Sequence, residues 1–288
     1  LLQDDVIFKY LGLVVTDEQH RFGVRQRAQL VAKGYNIPDM LVMTATPIPR
    51  TLALTVYGDL DVSVIRQLPP GRKPVMTFIR DSQKRHLVYN FVLKQIRHGH
   101  QAYIVCPLIE ESENINGLSV IQLYEQLRHG YFQDINCGLV HGKMKPQEKD
   151  YVMEQFYNGN IRVLFATSVI EVGVNVTNAT VMVVEGAERF GLAQLHQLRG
   201  RVGRGSHQSY CILISDNKNN ATLDRLSVLT QVDDGFLLAE KDLELRGPGQ
   251  FFGTRQHGIP DLKAANIIKD IDILLDARAA AFETISLK

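Results

Sequence analysis

Asp17 and Glu18 stand side by side after the largely apolar stretch Leu11 to Val15, and His20 follows two residues on. A carboxylate at the C-terminal end of a parallel strand faces the crevice where ligands bind in open α/β sheets. One such group can hold Mg²⁺, directly or through water, and its neighbour can orient or deprotonate an attacking water. Two acids in a solvated turn would read the same way. Thr44-Ala45-Thr46 closes a second apolar run. Small hydroxyls there can hydrogen-bond the carboxylates of a neighbouring strand end, and Pro47 and Pro49 force an extended exit. The stretch Gln194 to Gly205 sets Arg199, Arg201 and Arg204 among Gly200, Gly203 and Gly205. Planar guanidinium donors on a tight backbone match phosphate oxygens, and three glycines argue against an ordinary solvated helix face.

A phosphate-cradling loop of the form Gly, four residues, then Gly-Lys-Ser/Thr is not found in the 288 residues. The one Gly-Lys pair, Gly142-Lys143, is followed by Met144 and has Cys137 where the first glycine would stand. His141-Gly142-Lys143-Met144 follows a strand-like run, where backbone and lysine could touch a nucleic-acid phosphate. No hydrolytic triad and no zinc-ligand spacing is present.

These groups need strand ends to hold them. Candidate strands are Leu13 to Thr16, Met40 to Thr44, Val75 to Ile79, Ala102 to Cys106, Cys137 to Val140, Val163 to Ala166, Thr180 to Val184 and Tyr210 to Ile214. Several are continuous apolar runs, as expected of parallel strands covered on both faces. Helical segments are expected at Ser82 to His98, Gln122 to Arg128 and Pro146 to Tyr157. The alternation predicts an α/β fold with parallel sheets and helices on both faces. Gln67 to Pro74 holds three prolines and a glycine in eight residues and reads as a linker between two α/β units. After about Ser215 a polar loop leads into a mostly helical C-terminal segment. That segment has a Gly-rich stretch from Gly247 to Gly258 and a final run with Ile267, Ile268, Ile271, Leu274, Leu275, Phe282 and Ile285 at helical spacing.

The length suits about two domains of ~100–200 residues each. With 32 basic and 31 acidic residues the net charge is +1. Any nucleic-acid site is therefore a local patch. Cys106, Cys137 and Cys211 lie far apart in or beside apolar runs and read as buried, reduced thiols of a cytosolic protein. No run of ~18 apolar residues suggests a membrane span. The chain opens on Leu1-Leu2-Gln3, neither a start methionine nor a signal peptide, and is expected to be a fragment that begins inside a domain.

In order along the chain these pieces resemble the motifs of superfamily 2 helicases. Asp17-Glu18-Gln19-His20 looks like motif II, the DExH box, and Thr44-Ala45-Thr46 like motif III. Gln101 to Ser112 resembles motif IV, Phe165 to Asn175 motif V, and Gln197 to Arg204 motif VI. Beyond them, Gly235-Phe236 and Asp242 to Gln256 look like the TRG motif shared by the RecG family and the transcription-repair coupling factors. The phrases Asp-Glu-Gln-His-Arg-Phe-Gly-Val and Phe-Phe-Gly-Thr-Arg-Gln resemble the RecG family more closely.

The resemblance implies three regions: the end of a first RecA-like domain at 1–70, a second RecA-like domain at 71–215, and a TRG and helical segment at 216–288. It implies ATP and Mg²⁺ as cofactors. Asp17 would position the metal, Glu18 would activate water, and His20 would link the ATP site to the second domain. Thr44 and Thr46 would couple hydrolysis to movement. Arg201 and Arg204 would reach the γ-phosphate as arginine fingers, with Gln197, Gly173 and Asn175 beside the nucleotide. Thr167 would contact DNA, and Arg225, Arg246 and Gln256 would turn domain motion into duplex translocation. Asn175 stands where many such motors have Asp, and Thr177 where RecG-like chains usually have Pro. The implied activity is remodelling of stalled forks and Holliday junctions by a bacterial cytoplasmic monomer, with single-stranded DNA-binding protein as a further partner. The part carrying motif I and the fork-binding wedge is expected upstream, so the fragment alone should not hydrolyse ATP. A coupling-factor motor and a non-catalytic DNA- or partner-docking module are the competing readings.

Overall fold

The computed structural model describes residues 3, 5–17, 24–34, 37–44, 61–65, 67, 69, 71–107, 120–167, 176–246 and 270–286. The chain divides into two compact units, Leu1–Pro47 and Ile48–Lys288.

The first unit has strands β1 (Leu13–Thr16) and β2 (Asp39–Val42) with helix α1 (Val24–Val31) between them. The strands pair in parallel from Leu13↔Asp39 to Thr16↔Val42. Bonds from the Asp39 N–H to the Gly12 carbonyl (2.9 Å) and from the Met43 N–H to the Thr16 carbonyl (2.8 Å) extend the ladder at both ends. On β1, Val14 and Thr16 are buried while Leu13 and Val15 are exposed, the period-two signature of a one-sided strand.

The second unit is built on a six-stranded sheet, every pair of it parallel. Its strands are β3 (Met76–Arg80), β4 (Gln101–Val105), β5 (Cys137–Val140), β6 (Val163–Ala166), β7 (Ala179–Val184) and β8 (Tyr210–Ile214), in spatial order β3-β8-β7-β4-β6-β5. The helices are α2 (Arg85–Arg97), α3 (Val120–His129), α4 (Pro146–Tyr157), α5 (Leu192–Arg199), α6 (Asn220–Gln231), α7 (Gly235–Arg246) and α8 (Ile271–Ser286). Every residue of β4, β6 and β7 is buried, because both faces of the sheet are covered. Alternate side chains of β4 feed two separate cores. Tyr103 and Val105 join Phe156 of α4, Leu195 of α5 and Leu226 of α6. Ala102 and Ile104 join Val92 of α2 and Leu123 of α3.

All eight expected strands form, four of them at the expected residues. The second ends at Val42, earlier than the expected Thr44, because its partner β1 runs out at Thr16. Local chemistry sets the helix starts. Pro146 opens α4, where its lacking N–H costs nothing, and Glu148 accepts from the Lys145 N–H at 3.1 Å. Asn219 caps α6 by accepting from the Ala221 N–H at 3.0 Å. Phe282 and Ile285 are exposed on α8. The Gly-rich stretch 247–258 and Ile267 and Ile268 lie outside the described residues. Among the described residues no helix is long and apolar enough to cross a membrane.

Candidate active site

In the first unit, Asp17 directly follows β1 and is exposed, and Thr44 lies two residues beyond β2, also exposed. The register Thr16↔Val42 brings both to the same C-terminal edge of one parallel ladder. That edge is where ligand-binding groups of α/β sheets collect. Glu18, His20 and Thr46 lie outside the described residues. The described residues hold no cluster of three or more His, Cys, Asp or Glu groups that would cage a metal by itself. A strand-end carboxylate such as Asp17 fits Mg²⁺ that arrives with phosphates and keeps most of its water, the usual habit of this ion.

In the second unit the arginine-rich turn follows α5. Gln197 is half-buried on that helix, Arg201 is half-buried in the turn, and Arg204 is exposed. Gly203 takes φ +74°, a left-handed conformation that glycine adopts without steric cost. A Cβ there would also meet Val75 Cγ2 at 2.7 Å, and one at Gly205 would meet the Thr177 carbonyl oxygen at 2.7 Å. The glycines flanking Arg204 are thus pressed against other chain segments on both sides. The Arg204 Nε donates to the Gly200 carbonyl at 3.1 Å, which fixes the root of its guanidinium. Burial, then the charges of Arg201 and Arg72, hold Arg204 below the usual arginine range. Beneath the turn, burial pushes the Tyr103 phenol up to about 12, opposed by Arg201 and Arg204. Positive charge therefore concentrates at this turn, which suits an incoming polyphosphate.

Arg199 does not belong to that concentration, contrary to the reading of three phosphate-facing arginines. It is 5% exposed. Its Nη1 donates to the carbonyls of Leu229 (2.8 Å) and Val232 (2.9 Å), and its Nη2 to the Asp233 carbonyl (3.3 Å) and His196 Nδ1 (3.0 Å). Asp233 Oδ1 lies 3.5 Å from Nη1. Arg199 is thus spent on the carbonyls that end α6. Burial, reinforced by Arg199, pushes His196 down to about 4, so it accepts that bond as a neutral ring. Arg225 works from the other direction. From α6 it donates to the carbonyls of Phe190 and Glu188, both at 2.8 Å, in the turn ahead of α5. Two arginines therefore lash α5 and α6 together at separate points.

At the C-terminal edge of the six-stranded sheet, Thr167 follows β6. It is 5% exposed, and its Oγ1 finds no hydrogen-bond partner among the described residues. Two strands away, Glu185 follows β7 and is held by α2. Tyr89 donates its hydroxyl to Oε1, while Arg85 approaches Oε2 with Nε at 3.0 Å and Nη2 at 2.9 Å. Gly173, Asn175 and Gln256 lie outside the described residues, and Arg246 ends α7 with its side chain undescribed. The sequence reading missed Arg72 and Glu185. Arg72 is masked by the prolines around it, and Glu185 resembles any acid at a strand end.

The family model for the helicase conserved C-terminal domain matches residues 83–206. The model for domain 3, C-terminal, of the ATP-dependent DNA helicase RecG matches residues 232–287. The chain is 53% identical to the ATP-dependent DNA helicase RecG of Synechocystis sp. over 281 residues, 98% of this chain and 34% of that protein. It is 52% identical to that of Bacillus subtilis over 281 residues, 98% of this chain and 41% of that protein. Among solved structures, RecG bound to a three-way DNA junction matches with a TM-score of 0.74 and 47% identity, over 95% of this chain and 35% of that one. The Mycobacterium smegmatis helicase Lhr bound to ssDNA and AMP-PNP matches with a TM-score of 0.53 and 15% identity, over 75% of this chain and 31% of that one, a likeness of fold alone. The chain spans well under half the length of these RecG proteins. With a RecG-specific model matched behind the helicase domain and half its residues identical over nearly its whole length, the chain belongs to the RecG family of helicases.

Proposed function

We propose that this chain is part of an ATP-dependent motor that translocates on double-stranded DNA and remodels stalled forks and Holliday junctions in recombination and repair. The observation that carries the reading is the turn after α5, where Arg201 and Arg204 gather positive charge on a backbone braced by Gly203 and Gly205. Guanidinium groups so held stabilise charge on a transferring phosphoryl group, a contribution of about 10³–10⁵ in rate in comparable motors. Bound Mg²⁺ would neutralise phosphate charge. Asp17 is the carboxylate proposed to hold it, and Glu18 the base proposed for the attacking water. His20, Thr44 and Thr46 are assigned to coupling, and Gln197, Gly173 and Asn175 to the nucleotide. Thr167 is assigned to DNA, and Arg225, Arg246 and Gln256 to translocation.

In this reading residues 1–70 end a first RecA-like domain, 71–215 form the second, and 216–288 carry the translocation segment. The motor works as a monomer in the bacterial cytoplasm, with single-stranded DNA-binding protein as a partner. The similarity to RecG solved on a three-way junction supports branched DNA as the substrate class. The test is Arg204→Ala in the full-length protein. DNA-stimulated ATP turnover should fall by about 10³ or more, and unchanged turnover would overturn the assignment.

A further inference from the structure

We infer that the proline-rich segment leading into β3 is the seat of the arginine-bearing turn, with Arg72 as the residue that positions Arg204. Three hydrogen bonds tie residues 72–76 to residues 203–209, the turn and the stretch that leads from it into β8, across more than 130 positions of sequence. The Arg72 Nε donates to the Gly203 carbonyl at 3.1 Å, Gln208 Nε2 to the Pro74 carbonyl at 2.8 Å, and the Met76 N–H to the Ser209 carbonyl at 3.0 Å. The first of these grips the residue immediately before Arg204. Packing repeats the message, since a Cβ at Gly203 would lie 2.7 Å from Val75 Cγ2 and 3.8 Å from the Lys73 carbonyl oxygen. On the far side of Arg204, Gly205 is closed off by Thr177.

Arg204 therefore projects from a backbone with little freedom, and the bracing on its N-terminal side comes from residues 72–75. Catalytic stabilisation of this kind depends on donors already aimed at where charge develops. A misplacement of about 1 Å can cost about 10²-fold in rate. Prolines suit the task, since the rings of Pro69 and Pro74 fix φ at their positions. The Arg72 Nε–H is committed to the Gly203 carbonyl, which assigns this arginine a role acting through the turn.

The inference rests on the arginine-finger reading, and one set of full-length variants separates the two. Arg204→Ala, Arg72→Ala and the double variant are assayed for DNA-stimulated ATPase across ATP concentrations. Arg72→Ala is expected to lower kcat by about 10–100-fold and leave KM within about twofold. The double variant should match Arg204→Ala alone, because groups acting as a unit are not additive. Wild-type kcat in Arg72→Ala beside a dead Arg204→Ala would overturn the positioning role and leave the finger standing. A raised KM with unchanged kcat, or losses that multiply in the double variant, would overturn it too, since Arg72 would then act on ATP independently. Normal turnover in Arg204→Ala would remove the underlying reading. Should Arg72→Ala fail to fold, Gln208→Met decides. It cuts a neighbouring tie of the same zipper, and a fall in kcat at constant KM supports the seat while an unchanged kcat overturns it.

Discussion

Gly203 shows how much one residue type can decide. At φ +74° any L side chain suffers a backbone cost of roughly 1–2 kcal/mol. Here a methyl group would in addition strike Val75 at 2.7 Å. Gly159 is the natural control, since its φ is +77° but a Cβ there meets nothing within 4 Å. Gly159→Ala should cost only the backbone share, about 1 kcal/mol. Gly203→Ala should cost about 2–4 kcal/mol, because overpacking adds to the strain. Urea unfolding of the two variants checks this, and equal losses would show that the Val75 contact yields without cost. The same residue carries a functional burden, because its carbonyl is the acceptor for Arg72.

Among the elements, the pairing of α5 with α6 is held by polar groups as well as by packing. Arg199 satisfies three carbonyls at the end of α6, and His196 shares the same guanidinium. His196 is pushed down to about 4, below its ordinary 6.5, chiefly by burial. The folded state therefore binds fewer protons than the unfolded chain between those values. This stability is fully present above about pH 6.5 and is lost as pH falls through 4. His196→Gln keeps an acceptor and removes the titration. The melting temperature of the wild type should fall more steeply than that of the variant between pH 6.5 and 4.5. Parallel profiles would mean that His196 contributes nothing to the acid response. Protonation would also set an imidazolium against Arg199, loosening the link between the arginine turn and the segment matched to RecG domain 3.

For the whole molecule, the composition and the architecture lead to a definite expectation about activity. The 288 residues contain Asp17, Arg201 and Arg204 but no Gly-Lys-Ser/Thr loop to hold the β- and γ-phosphates. Arginines and the acid proposed to hold Mg²⁺, without that cradle, lack the positioning on which phosphoryl transfer chiefly depends. The purified 288-residue chain should therefore show no ATP turnover above background, with or without branched DNA. Appreciable DNA-dependent hydrolysis, read as released phosphate, would show that the chain holds the phosphates by other means.

Much of this was legible in the residues alone. Val163 to Ala166 is apolar throughout, and Ala179 to Val184 is apolar but for the buried Thr180, as expected of strands covered on both faces. Asp17 and Thr44 each follow a short, largely apolar run, so their arrival at one sheet edge needed only a parallel pairing. The order of the motifs was likewise readable, because each is a contiguous string. Only the tertiary structure decided which arginines face outward. Arg199, Arg201 and Arg204 share one stretch and one charge, yet Arg199 is buried on the end of α6 while Arg204 projects from its turn. The same holds for Arg72, whose partner Gly203 lies 131 residues away. Strand periodicity is a local property and is written locally. The partner of a side chain is set by which distant segments pack together, and no short window of sequence contains both halves of that contact.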